Sequence, residues 1–153
     1  MALSLRTTAL SVAALALAAL LTAFYFQHVL GYQPCQMCLW QRWAYYAGIP
    51  IAVIAALTDR REFLLVVAAL FAANAVLGGF HAGVEWDLWE GPASCGQGAV
   101  SSSGNLLEDL KTIRVVPCDA ASWRFLGLSF AGWSAVICAG LAALALAGAR
   151  KSA

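Results

Sequence analysis

Charge is what this chain of 153 residues has least of: nine Lys and Arg and eight Asp and Glu, 11% in all. A soluble domain carries about 25% charged and about 45–50% apolar residues, whereas 62% of this chain is hydrophobic. Folded alone in water it would expose too much apolar surface, so a soluble monomer is excluded, and so is a disordered chain. A formal net charge of +1 and the lack of any basic stripe leave nothing to neutralise phosphates. A nucleic-acid partner is therefore excluded. Histidine is scarce, with only His28 and His81 present. There is no C-x-x-C-H for haem attachment, no G-x-G-x-x-G for a nucleotide or flavin, and no strand pattern at all. What remains is one small domain, residues 1–153, embedded in a lipid bilayer and carrying five cysteines.

A spanning helix needs about 20 mostly apolar residues. Thr7 to Gln41 contains no charged residue and is too long for one span. Gly31-Tyr32-Gln33-Pro34 divides it as a turn. The pattern predicts an all-α four-transmembrane-helix bundle, with spans at residues 8–29, 39–57, 63–82 and 125–147. Pro50 falls inside the second span, where a membrane tolerates a kink. The N-terminal run continues through Phe24, Tyr25 and Phe26 without a small-x-small cleavage site, so it reads as a retained span, not a signal peptide. Arg6, Arg60-Arg61 and Arg150-Lys151 fall on one side, which places both termini in the cytoplasm. The other side carries a short loop, residues 30–38, and a long one, residues 84–124. The long loop holds Lys111, Arg114 and Arg124 with six acidic residues; long loops cross with little regard to charge. Within it Asn105 and Glu108 read as a helix start, and Leu106, Leu107, Leu110 and Ile113 share one face. That short amphipathic helix fits either the membrane interface or the outer ends of the bundle. The Gly- and Ser-rich stretch before it, 91–104, reads as a mobile loop.

Four cysteines then lie outside the cytoplasm, Cys35 and Cys38 in the short loop and Cys95 and Cys118 in the long one. Disulfides persist there. Cys138 lies within the fourth span and reads as a small hydrophobe. Structural zinc wants two close-spaced ligand pairs, and Cys95 and Cys118 are too far apart in sequence, so no metal site is expected. Spacing alone also fits two structural staples. The local chemistry of Cys35 and Cys38 favours a redox pair: C-x-x-C closes and reopens a small ring. Cys38 opens the second span, where the helix N-terminus favours a thiolate. Arg42 follows four residues on, on the same face. Its plainer role is an interfacial anchor beside Trp40, Trp43, Tyr45 and Tyr46; its functional one is a cation beside the thiolate and an electron acceptor. With no nucleotide, flavin or haem motif, the acceptor left is a lipid-soluble quinone. His81, near the outer end of the third span, is placed to bond a quinone oxygen, though an ordinary interfacial histidine would sit there too.

The stretch Pro34-Cys35-Gln36-Met37-Cys38-Leu39-Trp40-Gln41-Arg42 resembles the P-C-x-x-C-x-x-x-R signature of the bacterial disulfide bond formation protein family, DsbB. Cys118-Asp119-Ala120-Ala121-Ser122-Trp123-Arg124-Phe125-Leu126-Gly127-Leu128-Ser129 is similar to that family's last essential cysteine and its entry to the fourth span. Cysteine order, span number and loop lengths agree over nearly the whole chain. The resemblance implies a quinone-dependent oxidase of the bacterial inner membrane that re-oxidises a periplasmic DsbA-type thioredoxin-fold protein, with ubiquinone or menaquinone as acceptor. It implies that Cys95 forms the mixed disulfide with that partner and Cys118 resolves it. It further implies that Cys35 exchanges with the loop pair, that Cys38 faces the quinone, and that Arg42 and His81 flank it. Gln41 stands where some members carry an acidic residue. A DsbA-type partner is itself a strong oxidant, near about −120 mV, so the quinone has to draw the electrons onward. A vitamin K epoxide reductase-like enzyme working in the reducing direction fits the helix order less well. A non-catalytic membrane protein with two staple disulfides is the reading without chemistry.

Overall fold

The computed structural model describes residues 4–95 and 117–151, and within them the chain is a ring of four helices. Helix α1 runs Leu5–His28, α2 Gln36–Thr58, α3 Arg61–Val84 and α4 Phe130–Lys151. α1 packs on α2 and α4, and α3 packs on the same two. The short connections from α1 to α2 and from α2 to α3 make those neighbours antiparallel, so the end of α1, the start of α2 and the end of α3 gather at one end of the bundle, where the cysteine-bearing segments lie. The chain is a membrane protein by its own surface. α1, α3 and α4 are each long and apolar enough to cross a membrane, and large apolar side chains such as Leu21, Leu57, Val66, Val76 and Val136 face outward. Water would penalise that surface and lipid does not. α2 is as long but more polar in its first third, where Gln36, Gln41 and Arg42 lie.

Each helix buries one narrow stripe of small residues. On α1 it is Thr8, Ala9, Val12, Ala13, Ala16 and Leu20, at helical spacing. Small faces let backbones approach closely, which is how helices associate where no hydrophobic drive separates them from lipid. Gly78 shows the limit: a Cβ there would lie 3.0 Å from the Ala135 nitrogen and 3.1 Å from the Ala131 oxygen of α4. The caps follow from local chemistry. Ser4 accepts from the Thr7 N–H at 3.2 Å and opens α1. Asp59, at φ 54°, ends α2 in the left-handed conformation.

Two expectations are corrected. The fourth helix begins at Phe130, not at 125, and a strand pair is present. Arg124–Phe125 (β1) pairs antiparallel with Leu128–Ser129 (β2). Leu126 and Gly127, at φ 52° and 84°, make the two-residue turn; two positive φ values match the strand twist. Ser129 then caps α4, its Oγ accepting from the Gly132 N–H at 3.2 Å. The apolar run hid this, because a two-residue strand leaves no periodicity to read. The expected amphipathic helix at 105–114 and most of the Gly/Ser-rich stretch lie outside the described residues.

Cys138 is more than a small hydrophobe. It is fully buried, and its sulfur accepts from Asn74 Nδ2 at 3.2 Å and lies 3.1 Å from Tyr45 Oη. One residue from each of α2, α3 and α4 thus meets in the apolar interior. Losing the sulfur leaves the Asn74 amide unpaired, at a cost of about 1–3 kcal/mol. Cys138→Ala should therefore unfold at lower denaturant than wild type in micelles, while Cys138→Ser, which keeps an acceptor, should not. Equal stability of the two variants would count against the triad.

Candidate functional site

At the cysteine-bearing end the turn before α2 delivers Cys35 as the N-cap residue. Its Sγ accepts from the Cys38 N–H at 3.3 Å. The helix begins at Gln36, three residues earlier than the sequence pattern implies, so the positive end of α2 acts on Cys35. Cys38 sits inside the first turn. The two sulfurs lie 2.8 Å apart, and closing a bond of about 2.05 Å needs less than about 1 Å of movement. Cys35, Cys38 and His81 hold their ligand atoms within 4.8 Å of one another. Two thiolates on zinc, at about 2.3 Å each, would stand near about 3.8 Å apart; the observed separation suits a pair that closes on itself.

The second pair is brought to the first. Cys95 and Cys118 form a disulfide. Cys118 is 2% exposed and makes a buried cluster with Cys35 and Met37, against which Cys38, Leu77 and Cys95 pack. Cys95 ends a single 3-10 turn, Ala93–Cys95, that lies on α2, and it is only half-buried. Four of the five cysteines are therefore in one place, although 80 residues separate Cys38 from Cys118.

His81 is 1% exposed. Its Nε2 lies 3.5 Å from Cys35 Sγ, and its Nδ1 lies 2.9 Å from Gln41 Nε2. Glu85, the C-cap of α3, puts Oε1 3.9 Å from the same Nε2. Its Oε2 accepts from the Ser129 hydroxyl. Hydrogen bonding to Cys38, then to His81, outweighs burial and pulls the Cys35 thiol down to about 5. Burial pushes the Glu85 carboxyl above the usual carboxylate range, partly offset by Ser129 and His81.

Beside these groups opens a cavity of about 380 Å³, within the range of small-molecule sites. Cys35, Cys38, Gln41, Arg42 and His81 are among the residues that line it. Aromatic rings line it too: Trp123 stacks on Phe130 at 4.9 Å, and Phe26 meets both. Arg42 reaches this cavity, but its guanidinium is turned toward α1, where Nη1 donates to Gln27 Oε1 at 2.5 Å and Cζ lies 5.2 Å over the Phe24 ring. Among the described residues the basic group touching the thiol pair is His81. Of the expected aromatic belt, Trp40, Trp43 and Tyr46 are exposed, whereas Tyr45 turns inward to Cys138. Gln27, Glu85 and Ser129 escaped sequence reasoning. Only Glu85, four residues beyond His81 on one helix face, left a signal there.

Paired thiols and a closed disulfide packed together at one end of an apolar bundle define a membrane thiol–disulfide exchange protein. The chain belongs to the DsbB family: the model of that family, "Disulfide bond formation protein DsbB", matches residues 5–148. Proteins named "Disulfide bond formation protein B" are similar over most of their length. That of Polaromonas naphthalenivorans is 34% identical over 151 residues, covering 90% of this chain and 88% of the relative. That of Acidovorax sp. JS42 is 36% identical over 141 residues, covering 82% and 76%. That of Polaromonas sp. JS666 is 34% identical over 137 residues, covering 82% and 79%. No solved structure matches the chain. Family membership makes it a disulfide-forming oxidoreductase that works with an exchange partner in a membrane.

Proposed function

We propose that the protein is a quinone-dependent thiol oxidase of the bacterial inner membrane that re-oxidises a periplasmic DsbA-type dithiol protein. The observation that carries this reading is the packing of two cysteine pairs against each other, beside an apolar cavity with polar groups at one wall. In this reading α2 is a fourth span, both termini are cytoplasmic, residues 30–38 and 84–124 are periplasmic, and the single domain is the whole of 1–153.

The partner's thiolate attacks Cys95, the half-buried member, and the Cys95–Cys118 bond breaks with its electron pair on Cys118. Cys118 attacks Cys35 of a closed Cys35–Cys38 pair, which releases Cys38 as a thiolate. The partner's second thiol displaces Cys95 and leaves oxidised. Cys95 then attacks Cys118 and releases Cys35. The loop disulfide is closed again and two electrons rest on Cys35 and Cys38, the arrangement in which both pairs are found. The cavity fits a quinone head: it is apolar and aromatic over most of its lining, with Arg42 as a donor for a ring oxygen, while His81, whose ring nitrogens face Gln41, Cys35 and Glu85, borders the head. Bound there, ubiquinone or menaquinone supplies the two-electron acceptor. Gln27 and Phe24 hold Arg42 oriented, and the aromatic wall excludes water.

The test is quinone reduction by the purified protein mixed with a reduced DsbA-type partner. Wild type should turn over, and Cys38→Ser should lose at least about three orders of magnitude, as expected when a reacting group is removed. Folded wild type that turns over with neither quinone overturns the reading.

A further inference from the structure

Glu85 is a buried carboxylate at an unfavourable address. It caps the C-terminus of α3, where the helix dipole is negative and disfavours an anion. Its side chain is 6% exposed, so water does not compensate it. A buried carboxylate needs a donor or a positive partner. Ser129 provides one hydrogen bond. Arg124 spends its guanidinium on the Glu85 backbone oxygen, at 3.1 Å. Among the described residues the other group in reach is His81, whose Nε2 lies 3.9 Å from Oε1 and 3.5 Å from Cys35 Sγ. One ring nitrogen therefore faces a thiol and a carboxylate together. Nδ1 is held by Gln41, whose amide can turn either end to it and so can serve a neutral or a charged ring.

We propose that Glu85 is the positioning carboxylate of a Cys35–His81–Glu85 array, stabilising His81 as an imidazolium so that Cys35 is kept as a thiolate. The Cys35 S–H bond breaks, its proton goes to Nε2 of His81, and its electron pair stays on sulfur. Glu85 takes no proton; it balances the charge of the ring. Ser129 fixes the carboxylate by its hydroxyl, which ties the array to the first turn of α4. The inference rests on Cys35 being an exchanging thiol, as in the function proposed above. Among the described residues the titratable and charged groups around the array are Cys35, the N-cap of α2, Cys38 of α2, Arg42, Tyr32 and Tyr45 in the cavity wall, and Arg124 of β1; α1 brings the neutral Gln27.

Two effects of Glu85 on Cys35 have opposite signs, and this makes the proposal decidable. Acting through His81, the carboxylate favours the thiolate. Acting directly, one negative charge repels the other. The experiment is the pH dependence of Cys35 alkylation in the full-length, reduced protein in micelles, assigned by mass spectrometry. It needs neither quinone nor partner, so its failure is separate from failure of the oxidase reading. Wild type should titrate well below the ordinary thiol range. Glu85→Gln should move the midpoint up by about one pH unit, which makes alkylation about five-fold slower at the wild-type midpoint. Glu85→Asp should restore part of the shift. In a His81→Ala background Glu85→Gln should move the midpoint down, since only the repulsion is left. If Glu85→Gln does not fold, Ser129→Ala, which frees the carboxylate, should give a smaller upward shift. A midpoint that is unchanged or lowered by Glu85→Gln, or by Ser129→Ala in its place, overturns the array. So does an upward shift that survives the loss of His81.

Discussion

Cys118→Ser should stop turnover almost completely, by at least about three orders of magnitude, and the Cys95 it leaves unpaired should capture the oxidised form of the partner as a mixed disulfide. The unequal burial of the two loop cysteines leads to this result. Cys118 is 2% exposed and packs with Cys35 and Met37. Cys95 is half-buried at the end of its short turn. An incoming thiolate needs a straight approach to the sulfur it attacks, and access is a main determinant of exchange rate. Cys95 offers that approach and Cys118 does not. Cys118 instead packs with Cys35 of the other pair, which in the proposed function lets it pass the disulfide inward. Without it the mixed disulfide at Cys95 has no inward exit. Non-reducing electrophoresis with the oxidised partner, whose disulfide the unpaired Cys95 thiolate of Cys118→Ser attacks, reads the adduct, with Cys95→Ser as the variant that should form none; quinone reduction with the reduced partner reads turnover. An adduct formed at Cys35, or near-normal turnover in Cys118→Ser, would reverse the order of transfer.

Arg42→Ala should raise the quinone concentration needed for half-maximal turnover by about 10- to 100-fold, the equivalent of losing one hydrogen bond from a charged donor at about 1.5–3 kcal/mol. It should leave the rate of adduct formation at Cys95 unchanged. Arg42 lies in the cavity wall away from the thiol pair, with Gln27 and Phe24 fixing its plane. A preoriented guanidinium loses little freedom when it binds a carbonyl oxygen. Arg42→Lys should recover only part of the loss, since a point charge cannot keep both the Gln27 contact and the ring stacking. Stopped-flow measurement of the two half-reactions separates them. Equal loss in both would place Arg42 in the exchange path.

The motif residues were all legible. P-C-x-x-C followed by an arginine one helical turn on, and two further cysteines beyond the third apolar run, are local patterns that need no coordinates. What each does with its neighbours was not. The sequence pattern places Arg42 beside Cys38, because four residues make one turn; in the folded chain its guanidinium turns to α1, fifteen residues back, because Gln27 and Phe24 are there to receive it. The helix-end effect expected at Cys38 falls on Cys35, because α2 starts at Gln36. Helix boundaries are fixed by caps, and here the cap is the cysteine itself. Cys138 reads as inert in a run of apolar residues, since nothing local announces that Tyr45 and Asn74 will meet it.

The sequence by itself determined the class: scarcity of charge requires lipid, apolar runs of spanning length require helices, and cysteine placement relative to those runs restricts the thiol chemistry to one end. These depend on composition and on order along the chain. Only the tertiary structure decided that Cys35 and Cys118 share one buried cluster, that His81 and not Arg42 touches the thiols, and that Glu85 stands behind His81. Those are contacts between helices. Their geometry is set by how closely small residues such as Gly78 allow backbones to approach and by which side chain reaches a partner first, and neither is encoded in local spacing.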